Sequence, residues 1–374
     1  MRVFQSFWQA GFESACHINR YGVRLDMIAA TQHDRLADAD YAMLAEAGFR
    51  TARDGCRWHL IDRGGQYDFT PLRPLAEAAE RHNVQVIWNL CHYGWPDGLD
   101  ILKPEFVDRF ARYAGSVARF LKDHTSRVPL FCPINEISFF CWAAARFFYP
   151  FAEGQDDAIK HQLVRATIAA CESIWGVEPR ARFLLADPII NVVAPPGRPD
   201  LEEPAARHRE AQFEAWDMLA GRKQPSLGGN PKYLDILGAN YYYDNQWEIP
   251  DKKLAWDAVP LDSRWVPLHR QLQNLYERYG RPVVVAETSH FGRLRGRWIR
   301  GVANEVKLAL EAGVPVEGIC IYPILDRHDW EDPKWWHHSG LWDLRRDREG
   351  NLRRVLNRGY AAGLRRAREV LPGV

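Results

Sequence analysis

Short apolar segments alternate along the chain with longer segments whose apolar residues recur at helical spacing. The short segments are SFWQAGFES, FRTAR, VQVIWNL, VPLFCPIN, ARFLLAD, LDILGANYY, PVVVAE and GICIYPI. Their nearly continuous apolar character is typical of parallel strands that are buried on both faces of a sheet. The pattern therefore predicts a parallel β-sheet that is covered by helices.

The longer segments predict the helices. Examples are RLADADYAMLAEAG, KPEFVDRFARYAGSVARFLKDH, DAIKHQLVRATIAACESIWG and GVANEVKLALEAG. Several end at Gly, which is common at helix C-termini. Strand–helix units that recur roughly every forty residues predict a closed (β/α)8 TIM barrel of the α/β class rather than an open sheet. No Gly-rich phosphate-binding fingerprint follows an early strand, which disfavours a doubly wound sheet.

The whole chain is predicted to form one domain. It has 374 residues, and α/β barrels of this length commonly fold as a single unit, so we expect one barrel domain over residues 1–374. No linker stands out. The Pro-rich stretch VAPPGRPDLEEP at 193–204 is expected to be a long loop after the fifth strand.

Charge and cysteine content narrow the functional class. Lys plus Arg total 49 and Asp plus Glu total 48, so bulk charge indicates neither a nucleic-acid nor a membrane partner. No apolar run approaches a membrane span, and the N-terminal residues lack a signal-peptide core, so we expect a cytoplasmic protein. The seven cysteines form no C-x-x-C pair, and those in apolar segments, such as Cys91, Cys132 and Cys320, are expected to be buried thiols.

Two apolar segments end in carboxylates. In FCPINEISFF, Asn135 and Glu136 interrupt an apolar run, although a buried carboxylate costs several kcal/mol unless it is paired or protonated. Glu287 ends the seventh strand segment in RPVVVAETSHFG. Because active sites of barrels lie at the C-terminal ends of the strands, we expect the two carboxyl groups to face one cavity. Such a pair suits the cleavage of glycosidic bonds.

Other interpretations of these residues remain open. Each carboxylate could be solvated or could cap the following helix, and Arg53 could form a structural ion pair with Asp54. His92 could be a core histidine, or it could bind a metal together with the carboxylates in a metal-dependent hydrolase. The sequence contains no H-x-H or H-E-x-x-H motif that would favour a metal.

The motifs around the carboxylates resemble those of glycoside hydrolase family 1, in the clan of retaining (β/α)8 glycosidases. CPINEIS stands where the family has T-x-N-E-P, and VVVAETSHFG stands where it has I-T-E-N-G. The resemblance implies that Glu136 is the general acid/base, that Glu287 is the nucleophile and that Asn135 binds the sugar 2-hydroxyl. It implies no metal and no organic cofactor, and a glycoside as the binding partner.

The resemblance extends to further positions along nearly the whole chain. It implies that Arg53 pairs with the nucleophile and that the other matched residues contact the sugar. These residues are Glu13 in GFES, Arg53 in FRTARDGCRW, His92 in LCHYGWPDGL, Asn240 and Tyr242 in LGANYYYDN, and Tyr322, Asp329 and Trp330 in IYPILDRHDWEDP.

Several matched positions depart from the family pattern. Glu13 replaces a Gln, Tyr322 replaces a Trp and Asp329 replaces a Glu, whereas the catalytic pair is kept. The sequence therefore predicts a retaining β-glycosidase of the β-glucosidase or β-galactosidase type. The alternative that these departures keep open is an altered glycosidase-like barrel that acts as a sugar-binding or transglycosylating module.

Overall fold

The computed structural model describes residues 3–371, which form a closed barrel of eight parallel strands. Neighbours in the chain are neighbours in the barrel, and β1 completes it by pairing with β8, with Trp8 opposite Ile319. The predicted (β/α)8 fold is confirmed. The strands are β1 (Trp8–Gly11), β2 (Thr51–Gly55), β3 (Gln85–Cys91), β4 (Leu130–Ile134), β5 (Arg182–Pro188), β6 (Ile236–Asn240), β7 (Val283–Thr288) and β8 (Val316–Ile321).

Helices follow the strands and cover the outside of the barrel. The main ones are α1 (His33–Glu46), α2 (Arg73–Arg81), α3 (Pro104–His124), α4 (Asp156–Trp175), α5 (Glu214–Leu219), α6 (Leu268–Tyr279), α7 (Arg295–Glu311) and α8 (Arg358–Val370). Within residues 3–371, no helix is long and apolar enough to cross a membrane.

Shorter elements occupy the connections between strands and helices. The Pro-rich stretch 193–204, predicted as a loop, instead contains a 3₁₀ turn and the start of a helix, because its acidic and small residues continue a helical segment. The short helices are Met27–Ala30, Trp58–Ile61, Ile137–Arg146 and Glu202–Glu210, and the 3₁₀ turns are Pro199–Leu201, Ala211–Phe213, Pro225–Leu227, Pro231–Tyr233 and Gly292–Leu294. The short strands are Asp62–Arg63, Gln66–Tyr67, Asn191–Val193, Gln246–Glu248, Lys252–Lys253, Arg327–His328, Trp336–His337, Trp342–Arg346 and Leu352–Leu356.

The hydrophobic core has two parts, an outer layer to which the helices contribute and a smaller cluster inside the barrel. In the outer layer, α3 buries Phe106, Phe110, Tyr113 and Val117, which are spaced to share one helix face. Burial of each such large apolar side chain contributes about 1.5–3 kcal/mol. A separate cluster, made of alternate strand residues together with Phe4, fills the barrel interior, so the site is confined to one end. Its members are Phe4, Ile87, Leu130, Cys132, Leu184, Ala186, Ile236, Val284 and Ala286.

The cysteines behave as the sequence predicts. Cys91, Cys132 and Cys320 are buried, and so are the other four, all as free thiols. Burial raises the pKa of the Cys132 thiol to about 11, which keeps the thiol protonated at neutral pH and therefore unreactive.

A buried charged network fixes the strand that carries Arg53. His33 has no exposed surface and lies between Asp40, at 2.8 Å from its Nδ1, and Asp54, at 3.0 Å from its Nε2. Arg354, on the hairpin formed by Trp342–Arg346 and Leu352–Leu356, pairs with Asp40 at 2.6 Å. Burial acts to lower the pKa of His33, but the charges and hydrogen bonds of Asp54 and Asp40 outweigh it and raise the pKa to about 9. His33 is therefore a buried cation that ties α1 to β2.

The His33→Gln variant is expected to lose about 3–5 kcal/mol of unfolding free energy at pH 6, because it leaves the buried carboxylate of Asp54 without its cation, while Asp40 keeps Arg354. The pKa of His33 is higher in the folded state, so its contribution is complete below the unfolded value of about 6.5 and is lost as the pH rises through 9. Urea unfolding at several pH values measures this difference.

The control for this experiment is His82→Gln. His82 pairs with Asp38 at 2.8 Å, but the aspartate is largely exposed. Replacing His82 should therefore change the unfolding free energy by less than about 1 kcal/mol. A difference between wild type and His33→Gln that stays constant from pH 6 to pH 10 would contradict the charged network.

Candidate active site

Most of the polar residues that the sequence singled out lie at or just beyond the C-terminal ends of the barrel strands. Arg53 lies within β2 and Asn240 ends β6, while Asn135 and Glu136 directly follow β4. Gly11 ends β1 at a point where a Cβ atom would lie 2.0 Å from the ring of Tyr322. Only glycine therefore lets the Tyr322 ring lie against the end of β1 and face the site.

Glu136 is a buried carboxyl group held by two neutral donors. It is 8% exposed, Tyr93 donates its hydroxyl hydrogen to Oε2, and the side-chain amide of Asn240 donates to Oε1 at 2.8 Å. Burial, followed by the negative charge of Glu287, raises the pKa of Glu136 to about 8. The raised pKa favours the protonated form of Glu136, in which it can act as an acid.

Glu287 is an equally buried carboxyl group but has a cationic partner. Arg53 donates to its Oε1 at 3.0 Å, and the hydroxyl of Tyr242 donates to its Oε2 at 2.8 Å. Burial raises the pKa of Glu287, while the charge of Arg53 and the hydrogen bond from Tyr242 act to lower it. These two donors favour the ionised form of Glu287 over that of Glu136, which contacts no cation in the part of the chain that the structure describes.

Arg53 connects Glu287 with Asn135, the residue next to Glu136. It is fully buried, and besides Glu287 it donates to the backbone oxygen of Ala286 at 2.8 Å and to Oδ1 of Asn135 at 2.8 Å. It also donates to Oδ1 of Asn89 at 3.1 Å. A planar guanidinium with this many fixed partners holds its neighbours in one arrangement.

His92 is a neutral histidine at the end of β3. Its Nδ1 lies 3.0 Å from the hydroxyl of Ser14 and 3.2 Å from that of Tyr322, and its Nε2 lies 3.8 Å from Oε1 of Glu13. Burial, followed by the charge of Arg53, holds the pKa of His92 well below 6.5. The imidazole is therefore a hydrogen-bonding group and not a cation at neutral pH.

Glu13 has a basic neighbour that the sequence did not single out. Its Oε1 accepts the backbone N–H of Ala15 at 3.0 Å, and its Oε2 lies 3.4 Å from Nε of Arg327. Burial raises the pKa of Glu13, and the charge of Arg327 opposes this rise. Arg327 also lies over the ring of Trp330 at 5.5 Å, so it belongs to the rim of the site.

Asp329 and Trp330 have different surroundings. Asp329 accepts hydrogen bonds from the backbone of Glu331 at 2.8 Å and of Asp332 at 3.1 Å, and it pairs with His337 at 2.8 Å. Within residues 3–371, none of its hydrogen-bond partners is another predicted site residue. The ring of Trp330, in contrast, lies 5.7 Å from that of Tyr93, and its buried Nε1 has no hydrogen-bond partner among the described residues.

The structure thus brings most of the predicted residues into one site. Contacts join Glu136, Asn240, Glu287, Arg53, Tyr242, Asn135, His92, Tyr322, Glu13 and Trp330 directly or through one neighbour, whereas Asp329 is bonded to its own loop. Sequence reasoning did not identify Tyr93, Arg327, Ser14 and Asn89. The only signal for Tyr93 is its position beside His92.

The residues of the site favour catalysis by the two carboxyl groups over the binding of a metal ion. Arg53 lies between Glu287 and Asn135, where a second cation would be repelled. In the described part of the chain, three possible metal ligands meet only at Asp326, His338 and Asp343. Arg295 already pairs with Asp343 there at 2.9 Å and lies 3.7 Å from Asp326.

Comparison with known proteins supports the fold. No protein-family model matches the sequence, and no curated protein matches it. A β-glucosidase from Thermotoga maritima in complex with glucoimidazole matches with a TM-score of 0.76 and 14% identity, over 98% of this chain and 99% of that chain. The β-glycosidase BGL167 matches with a TM-score of 0.72 and 20% identity, over 92% and 88%.

A third similar structure is that of the AHE enzyme from Alicyclobacillus herbarius. It matches with a TM-score of 0.72 and 18% identity, over 91% of this chain and 88% of that chain. At these identities the similarity establishes the barrel and its strand order. The chemistry has to be argued from the residues of this chain.

Proposed function

We propose that this protein is a glycoside hydrolase that cleaves a β-linked glycoside with retention of configuration. One observation carries the proposal: two buried carboxyl groups meet in one site in contrasting environments. Glu287 has a cationic partner, while Glu136 has none and a pKa of about 8. Such a pair provides a nucleophile and an acid at neutral pH. The fold that this chain shares with β-glucosidases supports the same class.

In the first step, Glu287 attacks the anomeric carbon of the sugar. Glu136 gives its proton to the glycosidic oxygen, the bond from carbon to that oxygen breaks, and the aglycone leaves as an alcohol. The product of this step is a covalent ester between the sugar and Glu287. Arg53 and Tyr242 orient the nucleophile through their two hydrogen bonds.

In the second step, water replaces Glu287 at the anomeric carbon. Glu136, now ionised, removes a proton from the water as its oxygen forms the new bond, and Glu287 leaves as a carboxylate. Two inversions at the same carbon restore the original configuration. Both groups return to their starting protonation states, and the net reaction is hydrolysis.

Several groups are available to bind the sugar. Neutral His92 can accept or donate a hydrogen bond. The buried N–H of Trp330, which has no partner within residues 3–371, can donate to a sugar hydroxyl. We assign Asn135 to the 2-hydroxyl, and Glu13 and Tyr322 to the sugar-binding wall. Asp329 stays a predicted contact, although its present hydrogen bonds are to its own loop.

Turnover of aryl β-glycosides tests this proposal. A panel with gluco, galacto, manno, fuco and xylo configurations is expected to contain at least one substrate, and proton NMR of the first product should show the β-anomer before mutarotation. Treatment with a strong chelator should leave the rate unchanged. An α-anomer as first product would refute retention, and loss of activity with chelator would favour the metal-dependent alternative.

Calorimetry on the same panel addresses the remaining alternative. Sugars that bind tightly but are never cleaved would indicate a sugar-binding module. Products that carry a second sugar, formed at high acceptor concentration, would indicate transglycosylation.

A further inference from the structure

Tyr93 holds an unusual position beside the proposed acid/base. Its backbone φ is 66°, and that of Glu136 is 52°, so both residues adopt the left-handed conformation that L-residues rarely adopt. Such conformations cost about 1–3 kcal/mol each and are concentrated at functional sites. The Tyr93 side chain is 2% exposed, and its ring is enclosed by His17, His92, Phe139, Phe140, Phe148 and Trp330.

The hydroxyl of Tyr93 belongs to a chain of hydrogen bonds between the two carboxyl groups. Arg53 donates to Glu287 at 3.0 Å and to Asn135 at 2.8 Å. The amide of Asn135 donates to the Tyr93 hydroxyl at 3.1 Å, and that hydroxyl donates to Glu136. Because Asn135 donates to the phenol oxygen, the phenol hydrogen is directed toward Glu136.

We propose that Tyr93 is a positioning residue that holds Glu136 in place and stabilises its ionised form for the second step of the reaction. This inference rests on the proposed function. The second step needs Glu136 as a carboxylate, and a hydrogen bond from a fixed phenol is stronger to a carboxylate than to a carboxylic acid. Because its ring is enclosed, Tyr93 presents the same donor throughout the cycle.

The other groups around Glu136 explain why such a donor is needed. Burial and the charge of Glu287 both favour the protonated form of Glu136, and Asp187 on β5 acts in the same direction. Tyr93 and Asn240 are the two side chains whose hydrogen bonds favour the ionised form. The titratable and charged groups that face the pair from the surrounding strands and loops are Glu13, His17, Arg53, His92, Asp187, Tyr242, Glu287 and Arg327.

Carbon NMR titration of protein labelled at the glutamate carboxyl carbon tests the inference without requiring turnover. The Glu136 signal is identified by its loss in Glu136→Gln. In Tyr93→Phe, which keeps the ring, the pKa of Glu136 is expected to rise by about 1–2 units. In the control Tyr113→Phe, which removes a buried hydroxyl that donates to Leu90 at 3.1 Å, the pKa should stay unchanged.

Kinetics provide a second readout of the same inference. A dinitrophenyl glycoside needs little protonation of its leaving group, so its kcat reports the step in which Glu136 acts as base. In Tyr93→Phe, the acidic limb of the kcat profile should move to higher pH, and KM should fall as the intermediate accumulates. An unchanged or lowered pKa of Glu136 in Tyr93→Phe overturns the inference. Wild-type protein that cleaves no glycoside overturns the proposed function instead, and leaves the NMR test intact.

Discussion

Glu287→Ala is expected to lower kcat for aryl β-glycosides by about 10⁴-fold or more, because the covalent intermediate cannot form without its nucleophile. The variant also removes a buried negative charge, so Arg53 loses its carboxylate partner at 3.0 Å. The site should therefore accept a small anion. Azide is expected to restore turnover of a substrate with a good leaving group and to give the α-glycosyl azide, which NMR identifies.

The outcome with azide separates the role of Glu287 from structural damage. A misfolded variant would not respond to azide, whereas a folded one should show a rate that increases with azide concentration. Asp343→Ala is a suitable control, because it removes another carboxylate that pairs with an arginine, Arg295, at 2.9 Å. Formation of a β-azide, or activity that survives without azide, would show that another residue is the nucleophile.

Glu136→Ala is expected to affect substrates according to their leaving groups. For a methyl or alkyl glycoside, kcat/KM should fall by about 10²–10⁴-fold, because the leaving oxygen then departs without a proton. For a dinitrophenyl glycoside, kcat/KM should change little, since that leaving group is stable as an anion. Stopped-flow measurement should then show a burst followed by slow turnover, because the water that hydrolyses the intermediate lacks its base.

The pH dependence of kcat/KM provides a second test of Glu136 as the acid/base. In the wild type, kcat/KM for a poor leaving group should fall as the pH rises through about 8, since Glu136 loses its proton over that range. The Glu136→Ala profile should lack this basic limb. Equal losses on all leaving groups, or a basic limb that remains in the variant, would contradict the assignment of Glu136 as acid/base.

The fold could be predicted from sequence because every barrel strand is buried on both faces. Each of the eight apolar segments overlaps one strand, although the boundaries differ. The first segment, residues 6–14, extends beyond β1, because Glu13 and Ser14 lie after the end of the strand and belong to the site. Helix α7, in contrast, starts at Arg295, earlier than the predicted start at residue 301. Its first turns are rich in arginine, so the sequence pattern does not show that Trp298 and Ile299 are buried.

The site was less predictable because several of its properties depend on backbone conformation. Glu136 and Glu287 interrupt or end apolar runs, and this makes them visible in the sequence. Tyr93, in contrast, looks like an ordinary core aromatic in the sequence, which reveals neither its left-handed backbone nor its hydrogen bond to Glu136. The ion pair of Asp329 with His337 joins the residue after one strand of a short hairpin to the other strand, and no local pattern reveals that pairing.

Closure of the barrel has a consequence for the synthesis of the chain. β1 pairs with β2 on one side, but its other partner, β8, is near the opposite end of the sequence, where Ile319 lies opposite Trp8. Translation proceeds at about 5–20 residues per second, so one edge of the nascent first strand stays unpaired for tens of seconds. An unpaired apolar strand edge invites aggregation. Residues 8–11 therefore keep one unpaired strand edge until the ribosome has delivered β8.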